Sequence, residues 1–209
     1  MRRLFLLRHG EAAPAAQDGP SADPWVAPLT PRGRAQVADL AEALAALSLD
    51  LIVTSTVPRA LETAAILAHR TALTPIADDG LDELRPGRVV AGPPEAVRMA
   101  VRQAYRDAGQ PGARFLDGEA FAAFGLRVDQ ALARILSRPG WSRAAVVTHE
   151  PALRYVLARC HGLGLAGLDA FEAANASVTV LDCSPGVIAW DAAALRLANG
   201  TGDEATRLK

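Results

Sequence analysis

The residues most suited to chemistry lie where a short apolar run ends, at Arg8, His9 and Gly10. An arginine presents a planar fork that binds phosphate or carboxylate, and a histidine can act as a nucleophile or carry a proton near neutral pH. The four apolar residues before them, 4–7, are typical of a buried strand and too few for a helix. The pattern predicts a ligand site at the carboxyl end of a central strand, where open α/β sheets bind their ligands.

Two further predicted strands end in the same kinds of side chain. Residues 51–53 form a second apolar run, and Arg59 follows it in the first turn of a predicted helix. Residues 144–147 form a third run, which leads directly to His149. Because parallel strands share a carboxyl edge, we expect these side chains to converge with the first pair. Since like charges repel, such a cluster requires a dianionic ligand, and a phosphate monoester meets that requirement.

The sequence indicates neither a metal nor a cofactor. It has no Gly-rich phosphate-binding loop and no carboxylates at metal-ligand spacing. We therefore expect a site without metal or cofactor, in which arginines neutralise the charge of the phosphate.

Short apolar runs alternate with helical patterns along the chain, which predicts a three-layer α/β fold with a mostly parallel central sheet flanked by helices. Thr30 and Pro31 are typical of the start of a helix. The remaining predicted elements are a short strand at 74–77, helices at 95–107 and 119–137, a helix opened by Pro151, a closing hairpin of 178–181 with 187–190, and a loose tail from 199 to 209.

Composition limits the class of protein. The 209 residues are 50% hydrophobic and 22% charged, which predicts one globular domain, 1–209, with residues about 78–125 as a lid-like insertion. The net charge of −1 gives no overall attraction to nucleic acid or to anionic membranes, so the expected partner is a small phosphorylated substrate. Two cysteines and no long apolar run favour a cytoplasmic location. The oligomeric state stays open, with a homodimer as one option.

The chain resembles the histidine phosphatase superfamily, the phosphoglycerate-mutase-like enzymes. The resemblance rests on six motifs that run in the family's order and cover most of the chain. They are LLRHGE at 6–11, LTPRGRAQ at 29–36, STVPRALETA at 55–64, LDELRPG at 81–87, DGEAFAAFGLRV at 117–128 and VVTHEPALR at 146–154.

The resemblance implies a phosphoglycerate-mutase-like fold and a role for each site residue. His9 would be the nucleophile that becomes a phosphohistidine, and Arg8, Arg59 and His149 would hold the phosphoryl oxygens. Glu83 would be the general acid that protonates the leaving oxygen and then helps water to attack. The activity implied is that of the phosphatase branch, which is metal-independent hydrolysis of a small phosphorylated metabolite.

Three alternatives remain open. The first is a protein phosphohistidine phosphatase, which the Arg-His-Gly-Glu-Ala-Ala start at 8–13 and the His-Glu-Pro segment at 149–151 resemble. The second is a mutase, although mutases typically carry a Trp-Asn pair where this chain has Ala-Pro-Ala-Ala at 13–16. The third is a non-catalytic phosphate-binding scaffold, which the intact histidines and arginines disfavour.

Overall fold

The computed structural model describes residues 2–12, 25–88, 92–184, 190–191 and 194–208. Within these ranges, helices flank both faces of a central sheet. The strands are β1 (Arg2–Arg8), β2 (Leu51–Thr54), β3 (Ile76–Ala77), β4 (Arg143–Thr148), β5 (Val178–Cys183) and β6 (Leu195–Gly200). The α-helices are α1 (Pro31–Ala45), α2 (Pro58–Thr71), α3 (Pro94–Asp107), α4 (Phe121–Ser137), α5 (Glu150–Cys160) and α6 (Gly202–Thr206). Short 3₁₀ helices cover Asp79–Leu81, Phe115–Asp117 and Gly164–Ala170.

β1 lies inside the sheet, whose strand order is β3-β2-β4-β1-β5-β6. The first four of these strands run parallel, whereas β5 runs antiparallel to β1 and β6. Leu6 therefore pairs with Val146 on one side and with Thr179 on the other. Residues 4–7 are at most 1% exposed, because both faces of β1 are covered, and this explains the uninterrupted apolar run. The predicted, mostly parallel sheet is confirmed.

Two apolar clusters fill the space on either side of the sheet. On one face, Phe5 packs in a cluster with Leu44 of α1 and Leu67 of α2. On the other face, Phe124 of α4 and Leu153 of α5 belong to a second cluster. Successive residues of a strand point to opposite faces, so β1 supplies both clusters in turn. The predicted three-layer α/β architecture is confirmed. No described helix is long and apolar enough to cross a membrane.

Helix α1 begins where the sequence predicts, at Pro31. The Thr30 side chain accepts a hydrogen bond from the Gly33 backbone N–H at 2.9 Å and so caps α1. A proline also occupies the first turn of α1, α2, α3 and α5, where its missing N–H costs no helical hydrogen bond. Because α2 begins right after β2, Arg59 is held at the edge of the sheet.

Two predictions for the last part of the chain need correction. On the side away from β1, the antiparallel partner of β5 is β6, with Val180 opposite Leu197. The partner predicted for that side was 187–190, whose residues 187–189 lie outside the described part. The tail from 199 to 209 was predicted to be loose, yet it includes the end of β6 and all of α6. A capping box joins Thr201 and Glu204, and this Thr-x-x-Glu pattern was readable in the sequence.

The segment between β3 and α4 contains α3 and two of the 3₁₀ helices. α3 packs against the 3₁₀ helices Phe115–Asp117 and Gly164–Ala170. The assignment of one domain over 1–209, with a lid at about 78–125, stays a prediction.

Candidate active site

The predicted site residues meet at the carboxyl edge of the sheet. His9 follows β1 and donates its backbone N–H to the Thr148 carbonyl at 3.2 Å. Ser55 follows β2 and donates to the Val147 carbonyl at 3.0 Å. His149 follows β4, which lies between β2 and β1, and its ring centroid is 5.1 Å from that of His9. The expected convergence of the strand ends is therefore present in the structure.

The two nitrogens of His9 have different partners. Nδ1 lies 2.7 Å from the Gly10 carbonyl oxygen, which can only accept, so Nδ1 carries the proton. Nε2 accepts a hydrogen bond from Nε of Arg59 at 3.0 Å, so it presents a lone pair. Burial, together with the charge of Arg59, lowers the pKa of His9 to about 3. His9 is therefore neutral over the ordinary pH range, with Nε2 in the form that can attack phosphorus.

Arg8 and Arg59 each lie against a carboxylate. Arg8 Nη1 donates to the Ala173 carbonyl at 2.6 Å and lies 3.2 Å from Glu150 Oε2, while its buried Nε has no hydrogen-bond partner in the described part of the chain. Arg59 Nη2 lies 3.2 Å from Oε2 of Glu83. Since an unpartnered buried N–H is costly, the Nε of Arg8 favours an incoming anion.

Glu83 lies in the irregular stretch after the 3₁₀ helix Asp79–Leu81, in contact with both imidazole and guanidinium groups. Its Oε2 is 3.2 Å from Arg59 Nη2 and 3.4 Å from His149 Nδ1. Burial raises the pKa of this carboxyl, and the opposing pull of the Arg59 charge is smaller. A carboxyl that keeps its proton at higher pH is suited to be a general acid.

Arg127 and Glu119 hold Glu83 in place, and sequence reasoning assigned neither of them a role. Arg127 donates to the backbone carbonyls of Asp82 at 2.7 Å and Glu83 at 2.8 Å. Glu119 in turn accepts from Arg127 Nε at 2.7 Å and from the backbone N–H of Arg85 at 3.1 Å. Both residues belong to the motif at 117–128, so the resemblance could have indicated that they matter.

His149 is fully buried and oriented through Ser55. Its Nε2 lies 2.8 Å from Ser55 Oγ, and Ser55 donates its own proton to Asp82 Oδ1 at 2.9 Å. The serine oxygen therefore accepts from Nε2–H, which leaves Nδ1 of the neutral ring as the lone-pair nitrogen facing Glu83. Burial, followed by the effect of His9, lowers the pKa of His149. Asp82 was not assigned a role from the sequence, because an acidic residue in an irregular segment is ordinarily solvated.

We expect Ser55→Ala to lower kcat/KM about 10-fold, because His149 Nε2–H would lose its acceptor in a buried site. The measurement is steady-state hydrolysis of p-nitrophenyl phosphate. Ser137→Ala is the matched control, since that exposed hydroxyl donates to the Ala133 carbonyl of its own helix and lies away from the site. A Ser55 variant as active as this control would show that the orientation of His149 does not depend on the serine.

One cluster in the described part of the chain has the donor set for a metal ion. His9, Glu83 and His149 each offer a ligand atom, and these atoms lie within 4.8 Å of one another. The guanidinium groups of Arg8 and Arg59 face the same space and oppose a cation there. The donor set therefore suits a phosphate better than a metal, and metal-independent activity stays a prediction.

Comparison with known proteins identifies the family. The profile of the histidine phosphatase superfamily, branch 1, matches residues 4–195. This chain belongs to the histidine phosphatase superfamily. A relative from Yersinia enterocolitica, named as a probable phosphoglycerate mutase, is 31% identical over 167 residues, which cover 78% of this chain and 76% of the relative.

Solved structures of other superfamily members have a similar fold. The alpha-ribazole phosphatase of Shigella flexneri superposes with a TM-score of 0.74 at 26% identity, covering 95% of this chain and 96% of that one. A mycobacterial glucosyl-3-phosphoglycerate phosphatase gives a TM-score of 0.75 at 26% identity, covering 96% and 100%. Similar proteins within the superfamily thus include both named phosphatases and named mutases.

Proposed function

We propose that this member of the superfamily is a metal-independent phosphomonoester hydrolase that acts on a small phosphorylated metabolite. The observation that carries the proposal is the state of His9, whose Nε2 presents a lone pair beside Arg59 while Nδ1 is held by the Gly10 carbonyl. The names of the structurally similar phosphatases also support hydrolysis.

The first chemical step transfers the phosphoryl group to the protein. The Nε2 lone pair of His9 attacks phosphorus, and the ester P–O bond breaks with its electron pair on the leaving oxygen. Arg8 and Arg59 hold the other phosphoryl oxygens, since phosphoryl transfer depends mainly on positioning and charge stabilisation. His149 joins them only in the form whose Nδ1 carries a proton, since Nε2–H is donated to Ser55. Glu83 gives its proton to the leaving oxygen, because an alkoxide leaves poorly without one.

The second step returns the protein to its starting state. The oxygen of a water molecule attacks phosphorus, and the P–N bond breaks with its electron pair on Nε2 of His9. The carboxylate of Glu83 takes the proton of that water and so regains its acid form. Orthophosphate is released, and Arg59 can again donate to Nε2.

The experiment is a chromogenic phosphatase assay in excess chelator, with orthophosphate or vanadate added in a second series. We expect full turnover in chelator and competitive inhibition by both oxyanions, because arginines rather than a metal bind the phosphate. A loss of activity that a divalent ion restores would overturn the metal-free mechanism. No turnover of any phosphate ester would favour the scaffold alternative.

A mutase is the second candidate, because the Yersinia relative carries that name. The two reactions differ in the group that attacks the phosphohistidine, which is water in a hydrolase and a second substrate hydroxyl in a mutase. Incubation with 3-phosphoglycerate distinguishes them: release of orthophosphate supports the hydrolase, and formation of 2-phosphoglycerate supports the mutase.

A further inference from the structure

Tyr105 of α3 is a rigid aromatic residue beside the catalytic groups and has no role in the steps above. It is 6% exposed. Its ring stacks on Phe115 with centroids 5.8 Å apart and meets the edge of Phe121 at 6.5 Å. The guanidinium of Arg154 lies 5.3 Å from the centroid of the same ring. These contacts fix the ring, so its hydroxyl has a defined position.

The hydroxyl of Tyr105 has no hydrogen-bond partner among the residues that the structure describes. Burial and the nearby carboxylates of Glu83 and Glu150 raise the pKa of this phenol, so the group remains a donor at neutral pH. Tyr155 provides a contrast, because its hydroxyl donates to Asp129 at 3.0 Å and accepts from Arg159 at 2.7 Å. The ring of Tyr105 is buried, but its hydroxyl stays accessible beside the cavities that the residue lines, and an accessible donor without a protein partner is suited to binding a ligand.

Tyr105 and Glu150 line two cavities, which therefore adjoin at these residues. The first cavity, of about 210 Å³, contains Arg8, Arg59 and Glu83. The second, of about 360 Å³, extends away from the phosphate-binding groups along α3. In a bound substrate, the group attached to the phosphate would extend past Tyr105 into this second, larger cavity.

The charges in the second cavity balance one another. Its lining carries three arginines and three carboxylates, together with Val97, Val101 and Tyr105. Arg102 lies 3.3 Å from Asp169, and Arg154 lies 2.6 Å from Glu150. Such paired groups retain unused hydrogen-bonding positions for hydroxyl groups. A second anion would instead meet the carboxylates of Glu150, Asp169 and Glu172 in this lining.

We propose that Tyr105 binds the leaving group by donating a hydrogen bond to one of its hydroxyl oxygens, and that the substrate is the phosphate ester of a neutral polyhydroxylated alcohol such as a sugar. This inference rests on the proposed hydrolase function and specifies its substrate class. It makes Tyr105 a specificity-determining residue, which selects esters by the group attached to the phosphate.

The test compares two esters that differ only in hydroxyl groups, glycerol 1-phosphate and propyl phosphate. We expect the wild-type protein to have the higher kcat/KM for glycerol 1-phosphate, and Tyr105→Phe to lower the ratio of the two values about 3- to 10-fold. Tyr155→Phe is the matched control and should leave the ratio unchanged. A sugar phosphate and 3-phosphoglycerate complete the panel, and the sugar phosphate should be the better substrate.

Each outcome separates the two proposals. If Tyr105→Phe lowers both rates equally, its role is structural and the inference is wrong, whereas the hydrolase function stands. A preference for 3-phosphoglycerate would also overturn the neutral substrate class. If the wild-type protein hydrolyses neither these esters nor p-nitrophenyl phosphate, the hydrolase proposal itself fails.

Discussion

Replacing His9 by alanine is expected to lower phosphatase turnover by about 10⁴-fold or more while the protein still folds. The reason is that, in the proposed mechanism, Nε2 of His9 attacks phosphorus; Arg59 lies 3.0 Å from this atom, and Gly10 holds the opposite nitrogen. The measurement combines steady-state hydrolysis with rapid quenching after a radiolabelled substrate is added. In the wild-type protein, label should appear on His9 as an acid-labile, base-stable adduct, and the variant should carry none.

His161→Ala is the control for this experiment, because His161 is an exposed residue at the end of α5. It should retain both turnover and labelling. Thermal unfolding of all three proteins checks that the loss in the His9 variant is chemical rather than structural. Near-normal hydrolysis by folded His9→Ala would exclude His9 as the nucleophile.

Glu83→Gln is expected to have the second largest effect, and the size should depend on the leaving group. For an alkyl phosphate we expect turnover to fall by about 10²–10⁴-fold, because the alkoxide must receive a proton as it leaves. For p-nitrophenyl phosphate the first step should change much less, since its phenolate leaves without a proton. Pre-steady-state rates for both substrates in both proteins give the comparison.

The pH dependence of the rate is an independent test of the role of Glu83. A general acid is active while protonated, and the pKa of Glu83 is raised, so the acid form persists to a higher pH than for an ordinary glutamate. The wild-type rate on an alkyl phosphate should fall as the pH rises through that pKa, and Glu83→Gln should lose this dependence. Glu42→Gln, on the exposed side of α1, is the matched control. Small and equal effects on both substrates would exclude Glu83 as the acid and favour a phosphohistidine substrate.

The strand-end residues of the site were predictable from the sequence because their positions are set by the strands of the sheet. Arg8, His9 and His149 each follow a short apolar run, and parallel strands must bring such positions together. Glu83 was predictable only through the family resemblance, because its segment has no periodicity. Its position depends on Arg127, which reaches it from α4, 44 residues later in the chain.

Other parts of the structure depend on contacts between distant residues that no local pattern reports. The pairing of β5 with β6 is one case, because it places Val180 opposite Leu197, 17 residues later in the chain. Tyr105 is another, because an aromatic residue in an amphipathic helix ordinarily indicates core packing. Its relation to Glu83 and Glu150 becomes visible only in the folded chain, where the guanidinium of Arg154 from α5 lies over its ring.

In the resting site, one of the two proposed phosphate-binding arginines already has a counter-ion. Arg8 Nη1 lies 3.2 Å from Oε2 of Glu150, whereas the raised pKa of Glu83 favours a neutral carboxyl beside Arg59. In the proposed reaction, phosphate binding at Arg8 is therefore an exchange of one anion for another, and the net gain in free energy is smaller than for a bare guanidinium group. The same exchange would help the product to depart, because Glu150 competes for Arg8 once orthophosphate is formed.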